Sequence, residues 1–151
     1  MEAEVFPDDR VAALVAREFL PVKIHIKEQP ANFKRFRAEW TPTQIVLDPE
    51  GVERHRSEGF LPAEEFLAQL ELGIAKVASA LKRYDEAERR FRAVMDAYPG
   101  TPAAPEARYW AGVAAYKASR GDIAPLRETA KDLEARFPDS EWARKASVWR
   151  A

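Results

Sequence analysis

Trp40-Thr41-Pro42-Thr43-Gln44-Ile45-Val46-Leu47-Asp48-Pro49-Glu50-Gly51, running on through Val52 to Leu61, decides how this chain is read. An X-Pro dipeptide is biased towards extended or turn backbone, so Thr41-Pro42 reads as a turn feeding a short strand. Thr43 to Leu47 is that strand, mostly apolar and rich in β-branched residues. Asp48-Pro49-Glu50-Gly51 places Pro second and Gly fourth, which is type I turn chemistry. Val52 to Gly59 then reads as the return strand of a hairpin.

Working outward from the hairpin, Asp8 or Asp9 can cap a helix whose apolar positions are Val11, Leu14, Val15 and Phe19, spaced three and four apart. Pro21 comes directly after it. Val22, Ile24 and Ile26 alternate with Lys23, His25 and Lys27, the period-2 pattern of a half-buried strand. Ala31 to Trp40 reads as a short helix with Phe33, Phe36 and Trp40 on one face. Pro62 opens a long helical pattern, Phe66, Leu67, Leu70, Ile74, Val77, Ala78 and Leu81, with no linker inside it. About 20 residues at 1.5 Å each make a helix of roughly 30 Å. Gly73 is its weak point, because a mid-helix Gly costs about 1 kcal/mol relative to Ala.

Taken in order, these elements over residues 1–72 resemble the C-terminal part of a thioredoxin-like fold. Glu4 to Val11 and Phe19 to Ile24 are similar to the segment located after the family's Cys-x-x-Cys. The resemblance implies a cis Thr41–Pro42 bond and a peptide-binding site at Trp40, Thr41 and Pro42, with the backbone of Thr41 pairing with an extended peptide. It also implies that one strand belongs between Val22–Ile26 and Thr43–Leu47. The strand and catalytic turn that would precede Met1 are not in this sequence, so both flanking strands are expected to present open edges. The expected consequences are direct closure of the two strands, filling of the slot by another chain, or partial order of the first half.

The rest of the chain is helical. Asp85 precedes Ala87, Phe91, Val94, Met95 and Tyr98, closed by Pro99. This resembles the second helix of a tetratricopeptide repeat, with Ala87 at the family's small-residue position, Phe91 at its aromatic position and Pro99 at its terminal proline. Counting back puts Ile74 and Ala75 at the Leu-Gly positions and Glu71 where an aromatic is usual, which suggests a different job for that helix, packing on the sheet. A second unit runs from Tyr109-Trp110 through Val113, Ala114, Leu126, Ala130 and Leu133 to Pro138. The closing prolines are 39 residues apart, against a usual repeat of about 34, with Arg120-Gly121-Asp122 as the turn that absorbs the excess. Ser140 caps a last helix with Trp142, Ala146 and Trp149, expected to seal the array. Ala87, Phe91, Pro99, Trp110, Pro138 and Trp142 are the expected packing positions. Tyr98-Pro99-Gly100-Thr101 and Phe137-Pro138-Asp139-Ser140 resemble tetratricopeptide proteins of bacterial envelope assembly.

The expected fold class is therefore α+β followed by all-α: a partial thioredoxin-like sheet with flanking helices over 1–72, then a tetratricopeptide-like array over 63–151, sharing the helix at about 62–81. Composition limits the function. The chain is 46% apolar and 32% charged with a net charge of −1. Residues 1–61 hold 9 basic and 11 acidic groups, and the remainder 15 and 14, so neither half has the basic field of a nucleic-acid binder. No apolar run is long enough to span a membrane, and the acidic start is unlike a signal peptide, which gives a cytoplasmic expectation. There is no cysteine, hence no thiolate and no Cys-ligated zinc.

His25 and His55 fall on the polar phase of their strands, with no second ligand at metal spacing, and read as solvated strand residues. Glu64-Glu65 reads as the acidic first turn of a helix. No catalytic residue, metal site or cofactor is expected. The function expected is a cysteine-less protein-interaction module that binds a protein or peptide and forms homo-oligomers through open strand edges. The alternative is a thiol-disulfide oxidoreductase of the thioredoxin family, serving cell redox homeostasis, whose Cys-x-x-Cys lies upstream of Met1.

Overall fold

A computed structural model describes residues 5–150. Helix α1 (Asp9–Glu18) starts at Asp8, whose carboxylate accepts from the Arg10 N–H at 2.9 Å, and its Val11 and Leu14 are buried. Helix α2 (Pro30–Arg35) begins on a proline and is shorter than the expected Ala31–Trp40 helix. It ends where Arg37 takes a positive φ of 49°, turning the chain before Trp40. Strands β1 (Thr43–Leu47) and β2 (Glu53–Glu58) form an antiparallel pair across the Asp48–Gly51 turn. Asp48 builds that turn: its Oδ1 accepts from the N–H groups of Glu50 and Val52, and its Oδ2 from Arg54 Nε at 2.7 Å.

The expected strand at Val22–Ile26 does not form. Among the described residues the sheet has two strands, β1 and β2, and residues 19–25 carry no regular structure. Leu20 is 97% exposed and Val22 80%. The alternation is present, but a strand also needs a neighbouring backbone to pair with, and among the described residues no strand lies beside it. Of the three expected consequences, direct closure onto β1 is therefore not what is seen.

Helix α3 (Ala63–Ala80) runs unbroken and is the centre of the molecule. One stripe, Phe66, Leu67 and Leu70, joins Val5, Val11, Leu14 and Val46 in a first core. A second stripe, Ala68, Leu72, Ala75 and Ala78, joins helices α4 (Tyr84–Ala97) and α5 (Ala103–Ala118) in a second core around Phe91. A helix apolar on both sides is one buried on both sides. Gly73 lets it lie close to the sheet: a Cβ there would come within 2.7 Å of Val46 Cγ2.

Helix α6 (Ala124–Arg136) packs on α5, and α7 (Glu141–Ala146) with the 3-10 turn Ser147–Arg150 closes the end. The tightest crossing of α5 and α6 is at Gly112, where any Cβ would run into Thr129. Beside it Arg108, 2% exposed, donates to Thr129 Oγ1 at 2.8 Å and to Asp132 at 2.5 Å.

Candidate peptide-binding site

The sequence-predicted residues Trp40, Thr41 and Pro42 lie together at the entry to β1. All three are exposed, Trp40 by 65%. The Thr41–Pro42 peptide is cis. The loop is held from both sides. Thr43 Oγ1 donates to the Trp40 carbonyl at 2.7 Å, and the Gly59 N–H donates to the Pro42 carbonyl at 2.8 Å, which closes the open end of the hairpin. Phe60, the next residue after Gly59, is 53% exposed. Among the described residues Thr41 itself makes no hydrogen bond. Its N–H and carbonyl are thus free groups on a held loop, next to exposed Trp40.

Arg56 is not singled out by sequence, yet it ties the chain just before this loop to β2. From β2 its guanidinium reaches back to the end of α2, donating to the Phe36 carbonyl at 2.5 Å and the Arg37 carbonyl at 3.5 Å. Its other side pairs with Glu53, and this pairing holds the Glu53 carboxyl below its ordinary value. A helix leaves its last carbonyls without internal partners, and Arg56 satisfies two backbone oxygens there. The signal in the sequence is only an arginine in a strand, which does not reveal a partner 20 residues away.

The other predicted positions are dispersed. Ala87 and Phe91 are buried in the second core, while Pro99 and Pro138 are exposed at the two helix-to-helix corners. Trp110 packs against the second core, and Trp142 and Trp149 close around Tyr109, the latter stacked on it at 4.6 Å. Glu64 and Glu65 stand in the first turn of α3. His25 is exposed.

His55 corrects its expectation. It is half-buried against α3, with Nε2 at 2.6 Å from Gln69 Oε1 and Nδ1 at 3.0 Å from Lys76 Nζ. Burial, and then the Lys76 charge, push its pKa down. The cause is a bulge. Leu47 pairs with Glu53 but Val46 with His55, so Arg54 is the extra residue and His55 takes the inward place opposite buried Val46.

Among the described residues no three His, Asp or Glu side chains are grouped to hold a metal ion. Among them, too, no helix is long and apolar enough to cross a membrane.

Comparison with known proteins agrees with the geometry of the first half. The family model described as a thioredoxin-like domain matches residues 1–74. The chain thus carries a thioredoxin-like domain over that span. No curated protein and no solved structure matches the chain.

Proposed function

We propose that the chain is a protein-interaction module that takes an extended peptide at Trp40–Pro42. One observation carries this reading: exposed Thr41, whose backbone makes no hydrogen bond, beside exposed Trp40 on a loop held by Thr43 and Gly59. A free donor and acceptor on a held loop offer main-chain pairing, and the Trp40 ring offers side-chain contact; peptides that add to a sheet edge are held by these two kinds of interaction. Without cysteine this chain itself offers no thiolate for disulfide exchange.

The helical half is read as a tetratricopeptide-like array over 63–151, sharing α3 with the thioredoxin-like half. Its two corners support this. Tyr98 and Phe137 end their helices with nearly the same backbone, φ −129° and ψ 52° against φ −137° and ψ 53°. Thr101 Oγ1 and Ser140 Oγ then donate back to the carbonyls of Tyr98 and Phe137 at 2.9 and 2.8 Å. The same joint made twice, after helices of similar length, is what an internal repeat produces.

The test is a peptide array followed by amide shift mapping on isotopically labelled protein. Binding peptides are expected to move Thr41, Thr43 and Gly59, and Trp40→Ala is expected to weaken them about tenfold, the scale of one lost aromatic anchor. Peptides that shift only the helical half, or an array with no binders, would remove the loop from consideration.

A second reading is favoured by the edge of β1, which has no further strand beside it among the described residues. In it, a further strand bearing a Cys-x-x-Cys fills the slot, and the whole protein is an oxidoreductase. In-frame translation of the DNA upstream of Met1 separates the two, since a nearby stop codon is incompatible with the second.

A further inference from the structure

We infer that His55 is an acid-sensitive latch that holds the β1–β2 hairpin onto the helical part of the molecule. Lys76 fixes where the ring proton sits, because its ammonium can only donate. It lies 3.0 Å from His55 Nδ1, so that nitrogen must be the lone-pair acceptor. The ring proton therefore sits on Nε2 and is donated to Gln69 Oε1 at 2.6 Å. Lys76 also pairs with Glu106 of α5 at 2.5 Å. One chain of polar contacts thus runs from the hairpin through α3 to α5, and it admits one arrangement of protons, with His55 neutral.

Protonating His55 destroys that arrangement. Nδ1 would become a donor facing a donor, and two cations would stand about 3 Å apart in partly buried surroundings. The charged and polar groups facing the ring are Lys76 and Gln69 from α3, Glu106 from α5 and Glu53 from its own strand; Val46 is its cross-strand neighbour on β1. The two glutamates favour the charged ring, but burial and Lys76 come ahead of them and hold the pKa below the ordinary histidine value of 6.5. A histidine depressed in the folded state takes up its proton more readily when released. The grip of the hairpin is therefore complete above that ordinary value and is lost as pH falls towards the folded value. The close seat makes the joint sensitive: at Gly73 a Cβ would already meet Val46 and would lie 3.4 Å from the Cβ of His55. The helical core around Phe91 contains none of these groups.

The experiment is site-resolved. In wild-type protein at neutral pH, nitrogen-15 spectra of the His55 ring are expected to show the Nε2–H tautomer, and the ring is expected to titrate below the ordinary histidine value. Between about pH 7.5 and 5.0, amide-exchange protection of β1 and β2 is expected to fall about tenfold or more relative to α4–α6. His55→Gln keeps a neutral acceptor for Lys76 at every pH and is expected to abolish the differential fall. Lys76→Met removes the repelling ammonium and leaves Glu106, so His55 should titrate higher and the fall should shrink, a result that stands even if the first variant does not fold. An Nδ1–H tautomer, flat hairpin protection, equal loss in α4–α6, or an unchanged fall in Lys76→Met would each overturn the latch.

Discussion

At the scale of single residues, two glycines and one arginine hold the tightest joints, and Gly73 and Arg108 give the sharpest tests. Replacing a mid-helix Gly by Ala normally adds about 1 kcal/mol of stability. At Gly73 the new methyl would lie 2.7 Å from Val46 Cγ2 and 3.1 Å from Val46 Cβ. Val46 is itself buried, 5% exposed, so its side chain has little free space to move into. Overpacking costs about 1–3 kcal/mol, so Gly73→Ala is expected to lower the denaturant midpoint, and a rise would contradict the close seat of α3 on the sheet. Arg108 gives an asymmetric pair. Asp132→Ala leaves its guanidinium buried with Glu128 3.8 Å away as the remaining carboxylate. Breaking a buried pair this way costs about 3–5 kcal/mol, towards the low end here because Asp132 is partly solvated. Arg108→Met removes the buried charge itself and is expected to cost less. Chemical denaturation of the two variants decides, and the reverse order would show that Arg108 contributes by its charge rather than by filling the α5–α6 crossing.

At the scale of elements, the joints are the informative parts. Ser140 accepts from the Ala143 N–H at 3.0 Å while donating to the Phe137 carbonyl. Ser140→Ala loses an N-cap, about 1 kcal/mol, and is expected to fray α7 and unstack Trp149 from Tyr109, read as a changed tryptophan emission. Unaltered emission would mean that the aromatic cluster holds α7 without its cap. In the hairpin turn, burial would raise the Asp48 carboxyl, but the bonds from Val52 N–H and Arg54 outweigh it and hold it below the ordinary value. Its contribution is therefore present above the ordinary carboxylate range and lost as pH falls through the lowered value. Asp48→Asn should flatten that acid limb of hairpin stability. These joints also mark what the sequence discloses. The β1 strand, its turn, α3 and both proline corners depend on neighbours in the chain, so local spacing and turn residues reveal them. Val22–Ile26 depends on a distant backbone, and its alternation says only which side chains could share a face. His55 was misplaced because one bulged residue, Arg54, reverses the parity of a strand whose residues Glu53 to Glu58 are all polar and give no hydrophobic cue. Of the candidate site, Trp40–Pro42 is named only through the resemblance to the thioredoxin-like fold, whereas nothing in the sequence points to Arg56.

At the scale of the whole molecule, the edges of the two-stranded sheet are expected to govern solution behaviour. Exposed Leu20, Val22, Ile26, Trp40 and Phe60 belong to the first 61 residues, and β1 and β2 have no third strand among the described residues. Unpaired edges with apolar surface beside them invite further strands. Sedimentation over a concentration series is expected to show self-association that Leu20→Lys with Val22→Lys reduces. A monomer at every concentration would set aside the expected homo-oligomer. The chain as given is also expected to show no insulin reduction above background, because exchange needs a thiolate; turnover by a purified sample would refute this.

Because α3 supplies the walls of two cores with one run of residues, its two stripes are inherited together. A genetic crossover anywhere between Phe66 and Ala78 would hand each daughter protein a helix whose one face was selected against a sheet and whose other face was selected against α4 and α5 of a different parent. The two halves can therefore be shuffled among lineages only as a unit, or with α3 duplicated. Sequence drift on either stripe is answerable to both neighbours.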